Sequence, residues 1–274
     1  MKKKLLLVSS VMAILLAGTF LLRATPQKDN EPLSTFAALT LDIGLTKDEF
    51  APLEPIPMVL KLENRTKRAV LGHDAIRFSE NHIELFVIPS SGPVKKFDIA
   101  KPVRQLVEVG RIVFQPGESY RVKDLLTIGM NDILSEPGEY QIQVVAHGAN
   151  WFQEVKSNLL RLHITEPTGA NRRALNLIRS ESALPNKFAG YDLSENRQAF
   201  AILEALSNDF SETVYSDYAS FRVGEFYFFT KSYAKAREYL DKLANKTDFI
   251  FANKVSDHLN KLKGELSKES QQSQ

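Results

Sequence analysis

The feature that most constrains this chain is a change in the period of its apolar residues near residue 168. Before it, side chains alternate two by two, the pattern of strands with one face in a core; after it they recur every three or four, the pattern of helices. In MVLKLENRT, Met58, Leu60 and Leu62 point one way while Lys61 and Glu63 point the other, and Asn64 begins a turn. FAALTLDIG puts Ala37, Leu39, Leu41 and Ile43 on one face, and HIELFVI does the same with Ile83, Leu85 and Val87. EPGEYQIQVVAH alternates Tyr140, Ile142 and Val144 with Gln141 and Gln143, and KSNLLRLHITEP alternates Leu160, Leu162 and Ile164 with Arg161 and His163. Pro89-Ser90-Ser91-Gly92-Pro93 has the chemistry of a connecting turn throughout. Short alternating runs broken in this way predict an antiparallel sandwich over 34–167.

Beyond Pro167 a helix is predicted from Ala170 to Ile178. Asp192 and Glu195 read as a capping box for a second helix bearing Ala199, Ile202, Leu203 and Leu206. YASFRVGEFYFFTKSYAKAREYLDKLA, Tyr218 to Ala244, predicts a helical hairpin, and Phe251, Val255, Leu259 and Leu262 mark a closing helix. The helical region is expected over 170–266, with 267–274 as a disordered tail.

Two resemblances sharpen these expectations. Around Glu136-Pro137-Gly138-Glu139-Tyr140, the first segment resembles bacterial immunoglobulin-like domains, without the cysteine pair or central Trp of antibody domains. Tyr140 is read either as a corner tyrosine bonded back to the main chain or as an ordinary core residue. The hairpin resembles one tetratricopeptide repeat in Val223-Gly224, Tyr227, Tyr233, Ala236, Leu240 and Leu243, although Ser220, Leu243 and Asp248 depart from the pattern. Together they imply a multidomain all-β plus all-α protein: an immunoglobulin-like sandwich followed by a short tetratricopeptide-like array. The second resemblance also implies a concave partner-binding groove lined by Tyr218, Phe221, Glu225 and Phe228. The other reading of that aromatic stripe is core packing.

The first residues, MKKKLLLVSSVMAILLAGTFLLRATP, set Lys2, Lys3 and Lys4 before an apolar run from Leu5 to Leu22, closed by Arg23. This is an export signal over 1–24, either cleaved or retained as a single membrane anchor. Leu16-Ala17-Gly18 resembles the front of a bacterial lipoprotein signal, but Thr19 stands where the lipid-bearing cysteine belongs, and the chain has no cysteine. Disulfides, zinc-thiolate sites and thiol nucleophiles are thereby excluded. Lys2, Lys3, Lys4 and Arg23 are four of the 35 basic residues, which leaves 31 against 33 acidic ones in the remainder. Near-neutrality gives no reason to expect nucleic acid as a partner.

No motif for phosphate binding or acyl transfer is present, and His73, His82, His147, His163 and His258 are not at metal-ligand spacing. No catalytic residue, metal or cofactor is expected. The sequence is read as a non-enzymatic interaction or scaffolding protein of the bacterial cell envelope, periplasmic or otherwise outside the cytoplasm, with a protein or peptide partner. The alternative is an inhibitor or ligand-binding module acting through loops 72–81 and 146–152, the second of which carries Trp151 and Phe152.

Overall fold

In strand β3 (Ile56–Glu63) every second side chain is buried, Met58, Leu60 and Leu62 completely. It is flanked by β1 (Thr40–Leu45), whose Leu41 and Ile43 face the same way, and by β8 (Ser119–Leu126), both antiparallel. A second sheet is ordered β2 (Glu49–Phe50), β11 (Leu160–Ile164), β9 (Gly138–His147), β5 (Ile83–Pro89), β6 (Lys95–Phe97), and β10 (Glu154–Lys156) also pairs with β9. A parallel pair, β2 with β11, brings residues near the start of the segment beside its end. Strands β4 (Val70–His73) and β7 (Arg111–Phe114) form a two-stranded third sheet. The inward residues of all three meet in one largely aliphatic cluster that includes Leu41, Leu60, Val70, Leu85, Ile142 and Leu162.

This computed structural model describes residues 35–78, 82–97, 110–126, 134–149, 152–181 and 196–272, with side chains to 268. The expected export signal, the Asp192–Glu195 capping box and Trp151 lie outside the described residues. Among the described residues no helix is long and apolar enough to cross a membrane.

Among the described residues five helices follow: α1 (Gly169–Arg179), α2 (Arg197–Asn208), α3 (Ser216–Phe229), α4 (Tyr233–Asp241) and α5 (Ala252–Gln272). The N-cap of α2 is Asn196, whose side chain accepts from Ala199 N–H. Helices α3 and α4 cross where the sequence is smallest: a Cβ on Gly224 would sit 2.8 Å from Leu240 Cγ, and Ala236 is fully buried. Helix α5 continues through 267–272, where a disordered tail was expected; Glu265–Lys268 pairing and the Ser267 hydroxyl bonded to Lys263 C=O support its last turns.

The expectation of an all-β immunoglobulin-like module followed by an all-α tetratricopeptide-like array is corrected by this arrangement. Among the described residues, three sheets and five helices make a mixed α+β fold; one buried cluster, around Phe221, Leu240 and Val255, is helical alone, and another is built from both segments. Ala51 and Leu125, from the strand-forming segment, are buried in the same cluster as Leu175, Leu203, Tyr215 and Tyr218. The Tyr215 hydroxyl, wholly buried, donates to Pro52 C=O at 2.7 Å, and Arg179 donates to Ser135 C=O at 2.7 Å. The segment that receives Tyr215 is itself braced. Glu54 accepts from Ala51 N–H and pairs with Lys47, and Leu53 takes a left-handed φ of 60°. Ala51, Leu53 and Leu125 thus pack from the strand segment onto the apolar cluster shared by α1 to α3, a contact that a stack of helical hairpins does not make. Tyr140 does make its corner bond, to Glu136 C=O at 2.9 Å.

Candidate functional site

Tyr218, Phe221, Glu225 and Phe228 share one side of α3, as their spacing requires. That side is covered. Tyr218 and Phe221 are 8% and 1% exposed; both meet Phe249 edge-on, and Phe221 stacks on Phe251 at 4.5 Å. Phe228 stacks on His258 of α5 at 4.3 Å. Glu225 pairs with Arg222 one turn away and faces His258 Nε2 at 3.9 Å. Burial works against the Glu225 charge, but His258, Arg222 and Lys254 outweigh it and hold the carboxyl below its ordinary range. These four residues therefore lie along a seam between α3, the 249–251 turn and α5, Tyr218 and Phe221 buried and Glu225 and Phe228 partly buried.

A concave surface lies elsewhere on α3. Ser216, Asp217 and Ser220 of α3, Ser207 and Asn208 at the end of α2, and Lys242 and Lys246 after α4 line a cavity of about 430 Å³. Its lysines are held in place by the protein. Lys242 Nζ donates to Asn208 Oδ1 at 2.7 Å and to the Ser207 hydroxyl and carbonyl, capping the C-terminal end of α2. Lys246 Nζ contacts both Asp217 oxygens at 2.6 and 2.7 Å, and the Ser207 and Ser220 hydroxyls bond to each other at 2.7 Å. Two ammonium groups and one carboxylate leave the lining net positive, close to the N-terminal end of α3, where a helix favours negative charge. Such a lining can hydrogen-bond a polar, anionic segment, and it offers little to an apolar small molecule. Lys242 and Lys246 are four residues apart and were legible as a basic pair, but nothing in the sequence placed them opposite the serines of α2.

Histidines that are scattered in sequence also come together. His73 at the end of β4 lies 5.0 Å, ring to ring, from His82, and its Nε2 is 2.7 Å from His147 C=O. Loops 72–81 and 146–152, considered separately in the sequence, therefore meet at one end of the sheets, so far as they are described. Phe152, 92% exposed, projects there. Among the described residues no group of His, Asp and Glu is arranged to hold a metal ion.

No protein-family model and no curated protein matches the chain. Solved structures show only weak likeness. The sporulation control protein Spo0M of Bacillus subtilis is 18% identical over 52% of this chain and 55% of its own, with a TM-score of 0.31. A β-glucosidase of Listeria innocua in complex with glucose is 11% identical over 48% of this chain and 17% of its own, at 0.28. The alkylpurine DNA glycosylase AlkC of Pseudomonas fluorescens is 12% identical over 47% and 31%, at 0.30. The matched stretch spans about half of Spo0M and less of the two enzymes, and at these scores it assigns neither fold nor activity.

Proposed function

We propose that the protein is a non-enzymatic interaction or scaffolding protein of the bacterial cell envelope, working outside the cytoplasmic membrane and receiving a polar segment of a partner protein between α2, α3 and α4. The observation that carries this reading is the net-positive cavity lined by Ser207 and Asn208 of α2, Ser220 of α3, and Lys242 and Lys246 just beyond α4, the lysines held in place by Asn208 and Asp217. Rigid elements hold a binding geometry better than loops do. The location rests on the N-terminal run from Lys2 to Arg23.

The test is capture from the native host with the full chain, comparing wild type with a Lys242→Ala/Lys246→Ala variant of matched circular dichroism. The reading expects one discrete partner, recovered from the envelope fraction and lost in the variant. An unchanged set of captured proteins, or a full-length chain confined to the cytosol, overturns it. A second reading, ligand binding or inhibition through the loop end, is favoured by the exposure of Phe152. Under it, Phe152→Ala abolishes binding and the double lysine variant does not.

A further inference from the structure

His73 is 1% exposed, and both of its ring nitrogens are engaged in opposite roles. Nδ1 accepts the Ala75 N–H at 3.1 Å, so the ring proton sits on Nε2 and is donated to His147 C=O. The ring lies flat on Phe36, with centroids 4.8 Å apart and planes 4° from parallel. Phe36 N–H in turn donates to Gln153 Oε1 at 2.6 Å, and Gly148 N–H to Gln153 C=O. One imidazole thus ties together three parts of the chain that are far apart in sequence: the 3-10 turn Phe36–Ala38, the end of β4 and the end of β9.

A neutral imidazole can donate once and accept once; an imidazolium can only donate. Protonating His73 puts a second N–H against the Ala75 N–H, breaks that bond and leaves a buried charge. The neighbouring groups give the cation little relief. His82 approaches from the start of β5, and His147, on β9, has its own carboxylate in Glu84 at 3.4 Å, which Lys96 of β6 also engages. Asp74, next to His73 in sequence, is the carboxylate that favours the cation, and it is exposed. Burial holds His73 below the ordinary histidine range, only partly opposed by His147 C=O and Asp74, and His82 is likewise lowered by burial and by His73.

We infer that His73 is a proton-sensitive clasp: neutral, it fastens the chain around Phe36 and the end of β9 to β4, and on acidification it lets them go. The inference is independent of the partner cavity, which lies on the helices. Because the folded state prefers the neutral ring, the stabilisation is complete above the unfolded histidine value of about 6.5 and is lost as pH falls below it.

The test uses the full chain with ¹⁵N-labelled histidine. At pH 7.5 the His73 resonances should report a bare Nδ1 and a protonated Nε2; the opposite tautomer overturns the inference. Amide exchange, corrected for its intrinsic pH dependence, should be several-fold faster at Phe36 and Ala75 at pH 5 than at pH 7.5. His73→Gln keeps a donor and an acceptor but does not titrate, and should abolish that difference. Equal protection at the two pH values in wild type, or the same acid loss in His73→Gln, contradicts the proposal. If His73→Gln does not fold, the wild-type tautomer and exchange profile decide the matter alone.

Discussion

The interior between the sheets and the interior among the helices are built differently. The first is mostly Leu, Ile, Val and Met on aligned strands, and register alone brings its members together. The second is rich in aromatic rings, and several carry a directed polar tip: Tyr215 to Pro52, Tyr227 to Glu204, and Tyr239 to the Asn208 amide and Glu204. A strand pair needs no such guide, because main-chain bonds set its geometry. Two helices can rotate and slide on each other, and a phenol with one fixed acceptor removes that freedom. The cost of this arrangement is sensitivity: each buried hydroxyl that loses its partner leaves an unsatisfied group behind.

This contrast can be broken or sharpened by substitution. Removing a central side chain should hurt either interior most. Phe221→Ala, which empties the space between Phe249 and Phe251, is expected to lose about 3–5 kcal/mol, and Leu60→Ala about 2–5 kcal/mol, in urea unfolding. A sheet core much more tolerant than the helical one would overturn the equality assumed here. Next, Gly224→Val places atoms where Leu240 already is and should cost about 1–3 kcal/mol by overpacking, provided the helices do not separate; a rise in melting temperature would refute the crossing geometry.

The tyrosine pair sharpens the comparison. Tyr215→Phe strands Pro52 C=O in the interior and should cost about 1–3 kcal/mol, whereas Tyr140→Phe removes a half-buried bond to Glu136 and should cost about 0.5–1.5 kcal/mol. The reverse order would show that the polar tips do not orient the helices. Smallest of all, Arg237→Ala breaks an exposed pair with Asp241 on α4 and should change stability by no more than about 0.5 kcal/mol.

Much of the local structure was readable. Met58, Leu60 and Leu62, then Ile83, Leu85 and Val87, are buried as alternation requires, and Gly224 and Ala236 do mark a helix crossing. Periodicity says which face of an element is apolar. It is silent on what covers that face, and there the reading failed. The stripe of Tyr218, Phe221 and Phe228 allowed both groove and core, with core the commoner fate of such a stripe, and Phe249, Phe251 and His258 pack against it. Nothing in Ala51-Pro52-Leu53-Glu54 announces that it receives the helices, since its shape depends on a left-handed Leu53 and a carboxylate bonded back to Ala51. Phe36 rather than Ala37 enters the core because a 3-10 turn interrupts the expected alternation. The His73 clasp joins residues more than seventy positions apart, a separation that spacing motifs do not reach.

The central claim is that the strand and helix interiors are joined by a mixed cluster around Ala51, Leu125 and Tyr215, with Tyr215 bonded to Pro52, and so unfold as one mixed fold rather than as two modules in series. Hydrogen exchange across a urea series on the full chain tests it most directly. The account predicts that amides in β3 and in α3 lose protection in a single transition with one midpoint, and that Phe221→Ala lowers both midpoints together. Two separate transitions, with β3 unmoved by Phe221→Ala, would contradict it.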